Sequence, residues 1–467
     1  MQFVTTDNNC GVIIENPQII EDLQGLANVR IDRLRDQSGN DLWLFPKKGD
    51  RYDDKIDDQY LFELDGNILT TNNIMGFVGC GNTELTIRSR FSNKDGNDWF
   101  MQYMLQKVFA INIFDLNHTK STDESLDIAA LMLPYFLQKA LTQGLYREYI
   151  RQEYNDSNLR GAISISRHIK ENYPFRNGKI AYTTREFRYD NSITQLVRHT
   201  IEFIRAKKAS ATAILYSSPE TQANIKRIID ATPSYRKSDL NKVMLANLKP
   251  KIHPYYSEYR PLQRLCMQIL RGERISYGSD KERIHGVLFD GAWLWEEYLH
   301  LVFYKEGFQH PENRTGKGRI RVFKDRDRYP RYPDFIRENI IADAKYKVLL
   351  RDSKSLIYDD LSRDDLNQMI TYLHITSSRK GIFVNPLNFR VMNPETGDYF
   401  PETAFCARIG ELYGDGGDIY IVGMNIPQSC ESYNDFATFM AINERVLSHK
   451  IRDIIVRGEL RYDQTMA

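Results

Sequence analysis

The sequence predicts an α/β protein in which a β-rich N-terminal module and a mostly helical middle domain precede a C-terminal domain of mixed sheet and helices. Up to about residue 92, apolar and polar residues alternate between turn signals, which is typical of short strands. From about 97 to 275, apolar residues recur at helical spacing. From about 280, segments with the strand pattern alternate with segments with the helix pattern, as a mixed sheet flanked by helices requires. The predicted domains are residues 1–92, 93–278 and 279–467.

The composition is typical of a globular protein in a reducing compartment. The chain has 467 residues, of which 42% are hydrophobic and 27% charged, so two or three domains with their own cores are expected. No apolar run approaches the length of a membrane span, and the N-terminus lacks the pattern of a signal peptide. The five cysteines are scattered and form no Cys-x-x-Cys pair. These features predict a cytoplasmic protein with free thiols and no membrane partner.

The N-terminal module is predicted to consist of short strands and hairpins. Its clearest turn is Asp65-Gly66, which separates two apolar runs. Acidic and basic side chains are interspersed between residues 47 and 58, and such a mixed surface suits a protein partner better than DNA. We therefore expect partner docking, with DNA contact as the alternative. The predicted strands are Asn28–Asp32, Asp41–Phe45, the two halves of Tyr60–Thr70, and Glu84–Arg88.

The middle domain is predicted to be helical because apolar residues recur three or four positions apart in five segments. Pro134 falls inside the second of these segments and predicts a kink or break there, since proline lacks the N–H that a helix interior uses. The predicted helices are Trp99–Phe109, Leu126–Tyr149, Ile193–Lys207, Glu220–Ala231 and Pro261–Arg271.

Two carboxylates and a lysine stand out in the C-terminal domain. Phe335-Ile336 and Ile340-Ile341 are apolar runs on either side of a polar break, which predicts a hairpin. Asp334 then begins the first strand, and Asp343 and Lys345 share one face of the second, because side chains alternate along a strand. Carboxylates that converge beside a lysine favour a hard cation, Mg²⁺ or Mn²⁺, which can activate water for phosphodiester hydrolysis. The alternative is a solvated strand face.

The residues after this hairpin predict a helix followed by a buried strand. Ser362–Asp365 is typical of a capping box that opens a helix. Gln368 and Tyr372, four residues apart, share one face of that helix. Gly381–Pro386 is an apolar strand that we expect to end at the proline. The order of hairpin, helix and strand resembles the RecB-like branch of the PD-(D/E)xK nuclease superfamily.

The resemblance extends to one family. Pro333-Asp334 and Asp343-Ala344-Lys345, followed by Gln368–Tyr372, resemble the McrC family, the nuclease subunits of McrBC-type modification-dependent restriction systems. The resemblance runs from about residue 95 to the end and leaves residues 1–92 as an added module. Upstream segments that also resemble the family are Trp99–Leu105, Leu159–Ile163 and Phe187–Asn191.

The resemblance implies a set of catalytic residues within a PD-(D/E)xK core. Asp334, Asp343 and the backbone carbonyl of Ala344 would bind Mg²⁺. Lys345 would orient or activate the attacking water or stabilise the charge that develops on the phosphate. The residues that would position the scissile phosphate are Gln368 and Tyr372.

A glutamate on the preceding helix is a further candidate ligand. That helix is predicted over Phe289–Leu299, and the resemblance favours Glu296 over Glu297, although two adjacent glutamates on a helix often face solvent. A run of cations near the motif predicts contact with the phosphate backbone of a duplex. The alternative is a surface strand whose arginines pair with Asp325 and Asp327. The DNA-contact candidates are Arg319, Arg321, Arg326, Arg328 and Lys347.

The chain contains no phosphate-binding loop, so we expect it to bind no nucleotide itself. The resemblance implies a partner that supplies the energy, a hexameric AAA+ GTPase of the McrB type, and double-stranded DNA as substrate. The expected function is a type IV restriction endonuclease subunit that cuts methylated DNA in antiviral defence. The alternatives are a stand-alone PD-(D/E)xK nuclease in DNA repair and a non-cutting assembly subunit that stimulates the GTPase.

Overall fold

The chain forms two compact units in a computed structural model. One unit combines Met1–Ile128 with Ser276–Ala467, and the other is Ala129–Ile275. The N-terminal module therefore belongs to the same unit as the C-terminal domain, and the predicted boundary at residue 92 does not separate two bodies. The residues that the structure describes are 1–36, 41–46, 59–93, 96–109, 129–130, 132–175, 177–207, 215–216, 218–251, 253–271, 285–311, 318–347, 361–387, 404–414 and 417–463.

The N-terminal region is mainly β-structure with short helices. The predicted strands at Asp41–Phe45 and Glu84–Arg88 and the hairpin around Asp65-Gly66 are confirmed. The predicted strand Asn28–Asp32 is wrong, because Ile31 and Leu34 are both buried and their spacing of three belongs to a helix. The elements are β1 (Gln2–Thr6), β2 (Val12–Ile13), α1 (Pro17–Gln24), α2 (Ile31–Asp36), β3 (Asp41–Phe45), β4 (Phe62–Asp65), β5 (Ile68–Thr71), β6 (Ile74–Cys80), β7 (Thr83–Arg88) and α3 (Trp99–Val108).

The second unit contains helices and a three-stranded antiparallel sheet. Its elements are α4 (Leu133–Thr142), β8 (Glu148–Asp156), β9 (Ala162–Ile163), α5 (Ile165–Asn172), β10 (Ile180–Arg188), α6 (Ser192–Lys207), α7 (Pro219–Ala231), a 3₁₀ turn (Lys237–Asp239), α8 (Leu240–Ala246) and α9 (Tyr259–Arg271).

Most of the predicted helices of this region are confirmed, but the strands were missed. The predicted helix over Leu126–Tyr149 is wrong at its end, because β8 begins at Glu148 and pairs along its whole length with β10. Pro134 lies in the first turn of α4, where a helix does not use the N–H that proline lacks, so it marks a start and not a kink. Residues 126–128 and 131 of that prediction lie outside the described residues.

The C-terminal region alternates strands and helices as predicted. The predicted helix over Phe289–Leu299 begins later, at Gly291, because the Asp290 carboxylate accepts hydrogen bonds from Ala292 N at 2.8 Å and Trp293 N at 3.3 Å and caps it. The elements are β11 (His285–Asp290), α10 (Gly291–Phe303), a 3₁₀ turn (Tyr304–Glu306), β12 (Phe335–Arg337), β13 (Ile340–Ala344), α11 (Arg363–Thr376), β14 (Lys380–Leu387), β15 (Ala404–Glu411), β16 (Asp418–Asn425) and α12 (Tyr433–Asp463).

A mixed five-stranded sheet forms the core of the C-terminal region, in the order β12-β13-β14-β16-β15. The antiparallel hairpin β12–β13 and the strand β14 confirm the predictions, and β13, β14 and β16 run parallel. Helix α11 connects β13 to β14 and lies against both. Strand β14 continues through Pro386 to Leu387, because the ladder with β13 ends at Val384 and, within the described part of the chain, one side of β14 has no strand partner beyond it.

A second five-stranded sheet combines strands of the N-terminal module with one strand of the C-terminal region. Its order is β1-β7-β6-β11-β3, so β11 lies between two strands of the N-terminal module. Strand β11 is antiparallel to β6 and parallel to β3, and Leu288 belongs to the apolar core of this module. The N-terminal module is therefore completed by a strand from the C-terminal region. Among the described helices, none combines the length and hydropathy that crossing a bilayer requires.

Candidate active site

The hairpin β12–β13 brings the two predicted carboxylates together. Because Phe335 pairs with Ala342 in the antiparallel register, the next position places Asp334 across from Asp343. The backbone N–H of Ala344 donates to Asp334 Oδ2 at 2.8 Å, which fixes the orientation of that carboxylate. Asp343 is almost fully buried, with 3% of its surface exposed.

Lys345 lies at the centre of a cluster of oxygen atoms. Its Nζ is 2.7 Å from Asp343 Oδ2 and 3.2 Å from Asp365 Oδ1. It also donates to Gln368 Oε1 at 2.9 Å. Burial alone lowers the pKa of Lys345, but the negative charges of Asp343 and Asp365 outweigh this and raise it. The raised pKa keeps Lys345 protonated in the metal-free protein at neutral pH.

Gln368 and Tyr372 have protein partners. Gln368 Nε2 donates to Tyr372 Oη at 2.7 Å, and Tyr372 Oη donates to the backbone carbonyl of Tyr332 at 3.0 Å. Tyr372 is only 2% exposed. Burial and the charges of Asp343 and Asp334 raise its pKa, so the phenol stays protonated and remains a donor. The predicted pair thus links Lys345 to the segment that leads into Asp334.

Asp365 is a site residue that was not predicted. The sequence marked it only as part of a capping box, and the structure confirms that box, since Asp365 N donates to Ser362 Oγ at 3.1 Å. Its carboxylate also lies 2.6 Å from Lys347 Nζ. Burial alone would raise the pKa of Asp365, but the hydrogen bond from Lys347 and the charge of Lys345 outweigh it and lower the pKa. Asp365 therefore forms ion pairs with both Lys345 and Lys347.

Two acidic residues and a histidine lie on the other side of Asp334. His310 Nε2 is 3.8 Å from Glu296 Oε1 and 4.0 Å from Glu297 Oε1. Trp293 Nε1 donates to Glu297 Oε1 at 2.9 Å. Of the two glutamates, Glu296 has the stronger electrostatic effect on Asp334, whose pKa it helps to raise. The structure therefore favours Glu296 as the acidic neighbour of the site.

In the basic stretch before the motif, two of the candidate arginines form ion pairs with aspartates and two are exposed. Arg319 forms an ion pair with Asp327, and Arg326 lies 3.5 Å from Asp325. Arg321 and Arg328 are exposed. The alternative of surface arginines paired with aspartates thus describes two of the candidate arginines.

The donor atoms fit a divalent cation that takes oxygen ligands. Burial and the charges of Glu296 and Asp343 raise the pKa of Asp334, and burial raises that of Asp343. A nearby cation would stabilise the ionised form of carboxyl groups in such an environment. In the described part of the chain, no three His, Cys, Asp or Glu side chains converge closely enough to hold a metal ion. The set would therefore need backbone oxygen and water, as Mg²⁺ accepts.

The fold and the site define a mixed α/β protein that carries two carboxylates and a lysine on a hairpin beside a parallel sheet. A family model described as the McrBC 5-methylcytosine restriction system component matches residues 69–386. The chain belongs to this family, which confirms the resemblance at family level. The match begins inside the N-terminal module, earlier than the predicted start near residue 95. No curated protein matches the chain.

Solved structures share the fold at low sequence identity. A chain from an assembly of Thermococcus gammatolerans McrB AAA+ hexamers with bound McrC has a TM-score of 0.51 and 15% identity, covering 97% of this chain and 100% of that chain. A chain of the Thermococcus gammatolerans McrBC complex has a TM-score of 0.33 and 14% identity, covering 68% of this chain and 91% of that chain. The first likeness shows that the fold is shared over nearly the whole chain.

The pKa of Asp334 predicts how stability depends on pH. Because its pKa is raised above the ordinary 3.8, the folded protein holds a proton that the unfolded chain has released. The free energy of unfolding should therefore fall as the pH rises from about 4 through the folded-state pKa. Thermal unfolding in EDTA between pH 4 and 8 measures this, and Asp334→Asn should flatten the slope. Equal slopes in the two proteins would contradict the shift.

Proposed function

We propose that this chain is the Mg²⁺-dependent endonuclease subunit of a McrBC-type restriction complex, which cuts methylated DNA when a AAA+ GTPase partner drives it. The observation that carries the proposal is the cluster of Asp334, Asp343 and Lys345 at one hairpin, where Lys345 Nζ lies 2.7 Å from Asp343 Oδ2 and Ala344 N–H donates to Asp334 Oδ2 at 2.8 Å. Membership of a restriction-system family supports the same conclusion. The order of the hairpin β12–β13, helix α11 and strand β14 along the chain supports the resemblance to the PD-(D/E)xK superfamily.

The side chains divide the chemistry between binding and charge stabilisation. Asp334, Asp343 and the backbone carbonyl of Ala344 would hold Mg²⁺ together with water, and Glu296 would act through its charge on Asp334 and not as a direct ligand. When bound, the cation polarises the scissile phosphate and lowers the pKa of a water. Lys345 stabilises the negative charge that develops on the phosphate, because it already carries its proton.

Residues that contact Lys345 directly or through a neighbour, and not the cation, position the ammonium group. Gln368 accepts from Lys345, and Tyr372 orients Gln368, so this pair aligns the ammonium group and not the phosphate directly. The ion pairs of Asp365 with Lys345 and Lys347 restrict the positions of both ammonium groups. The exposed cations Arg321 and Arg328 are the best placed for contact with a duplex backbone, which requires charge but no sequence reading. Lys347 is also exposed, but it would have to share its charge with Asp365.

The partner assignment rests on the fold comparison and on the sequence. The solved relative comes from an assembly of McrB AAA+ hexamers with McrC, and this sequence contains no phosphate-binding loop of its own. A net charge of +1 also predicts weak binding of DNA by the chain alone.

The purified chain should therefore cut DNA poorly and become active only with its motor. The experiment compares cleavage of methylated and unmethylated plasmid by the chain alone, and by the chain with the co-encoded AAA+ protein and GTP or ATP. Cleavage should need the motor, nucleotide, Mg²⁺ and methylation together. A complex made with Asp343→Asn controls for contaminating nuclease.

Rapid nucleotide-independent cutting of unmodified DNA by the chain alone would support a stand-alone nuclease instead. Stimulation of the GTPase with no cleavage by the complex would support the non-cutting assembly subunit.

A further inference from the structure

A histidine from outside the motif holds the backbone of Asp334. His310 Nδ1 lies 2.8 Å from the carbonyl oxygen of Asp334. A carbonyl only accepts hydrogen bonds, so Nδ1 must carry the proton and donate it. The imidazole is 13% exposed and packs on Phe335, with the ring centroids 5.1 Å apart. The imidazole therefore packs against β12, the strand that follows Asp334.

The other edge of the imidazole faces helix α10. His310 Nε2 is directed towards the carboxylates of Glu296 and Glu297, at 3.8 and 4.0 Å. Glu297 is itself held by Trp293 Nε1 at 2.9 Å. A chain of contacts thus runs from the buried face of α10 through Glu297 and His310 to the carbonyl of Asp334.

The segment before β12 is held from two directions. Tyr372 of α11 donates to the carbonyl of Tyr332, and His310 donates to the carbonyl of Asp334 two residues later. The first donor is tied to Lys345 through Gln368, and the second is tied to Glu296 and Glu297. Each donor therefore connects the position of Asp334 to another charged group of the site.

We infer that His310 is a positioning residue for the metal centre, which sets the orientation of Asp334 relative to Asp343 through its backbone carbonyl. This inference rests on the proposed function, since the centre is itself a proposal. Partners that orient metal ligands in this way commonly change metal affinity 10- to 100-fold when removed. No motif could indicate His310, because its partners lie on a helix and a strand that are distant in sequence.

The matched set His310→Asn, His310→Gln and His310→Ala tests the inference by rescue. The Asn side-chain amide occupies the place of Nδ1 and can still donate to the Asp334 carbonyl, whereas the Gln amide occupies the place of Nε2. Mn²⁺ affinity of the full chain, measured by titration calorimetry, should fall about 10- to 100-fold in the Ala and Gln variants and by much less in the Asn variant. His449→Ala, at an exposed histidine of α12, is the control. Equal losses in all three variants would overturn the inference.

A metal-free measurement separates this inference from the proposed function. Ala344 N–H donates to Asp334 Oδ2, so its hydrogen exchange reports whether Asp334 is held in place. Exchange at Ala344 should accelerate in His310→Ala and stay near the wild-type rate in His310→Asn. If the wild-type chain bound no Mn²⁺, the metal centre would be wrong, yet this exchange pattern would still support the role of His310. Unchanged exchange in His310→Ala would refute that role.

Discussion

Replacing Asp343 with asparagine should abolish DNA cleavage by the assembled complex and leave the chain folded. The carboxylate is buried beside Lys345 and opposite Asp334, where it can serve as a ligand to the cation. A catalytic metal supplies several kcal/mol of charge stabilisation, so a lost ligand should lower the rate on the order of a thousandfold or more. Rates of plasmid cleavage under saturating GTP and Mg²⁺ measure the effect.

The folded state should tolerate this change. In the substituted chain, Lys345 keeps its ion pair with Asp365 and its hydrogen bond to Gln368. Metal-free Asp343→Asn should therefore stay folded, and it should lose the stabilisation that Mn²⁺ gives. Asp364→Asn, at an exposed carboxylate one residue before Asp365, is the matched control. Wild-type cleavage in Asp343→Asn would remove this residue from the metal centre.

The other members of the cluster should differ from one another. Asp334→Asn should lose both cleavage and metal affinity, as Asp343→Asn does. Lys345→Ala should lose cleavage but keep most of its metal affinity, because the lysine acts on the phosphate and not on the cation.

Deleting residues 1–90 should prevent the rest of the chain from folding into a soluble form. The sequence alone predicts that these residues form an added docking module. In the structure, β11 loses both neighbouring strands when they are deleted. Phe45, whose ring lies 5.3 Å from that of Phe289, is removed as well.

The deletion also removes a hydrogen-bond partner of the segment that follows β13. Tyr346 follows Lys345, and its Oη is 2.7 Å from Ser89 Oγ. The Tyr346 ring fills the space over Gly291, where an added Cβ would be 2.7 Å from its Cε1 atom. Each large apolar side chain that loses its cover costs about 1.5–3 kcal/mol, and a domain has only about 5–15 kcal/mol in total.

Solubility, circular dichroism and Mn²⁺ binding of the truncated chain measure the outcome. Co-expression of residues 1–93 as a separate polypeptide should restore part of the soluble yield, which controls for damage unrelated to the sheet. A truncated chain that is soluble, folded and able to bind Mn²⁺ would show that the module is dispensable for the fold. Its role in docking the motor remains our proposal and is better tested by substitutions on its exposed face.

The parts of the fold that depend on local pattern could be predicted from the sequence. The hairpin β12–β13, the capped helix α11 and strand β14 each follow from the order of apolar and polar residues within a short segment. The error at Asn28–Asp32 has the same origin, because five residues are too few to distinguish a strand from the first turn of a helix.

The contacts that define the site at longer range could not be predicted in this way. The insertion of β11 between β6 and β3 joins strands that are far apart in the chain. His310 and Asp365 bear on the site through single hydrogen bonds or ion pairs to residues on other elements. The hydrogen bond from Tyr372 to the carbonyl of Tyr332 could not be predicted for the same reason, since the two residues are 40 positions apart in the chain. Such pairings have no local signature.

The position of β11 also constrains the order of events during synthesis. Strand β6 is complete at Cys80, but its neighbour begins at His285, about 200 residues later. At roughly 5–20 residues per second, the ribosome needs roughly 10 to 40 seconds to cover that distance. Throughout this interval one edge of β6 has no partner from its own sheet, and an unpaired edge is a template for association with other chains. The nascent N-terminal region therefore depends on protection until the strand that completes its sheet has emerged.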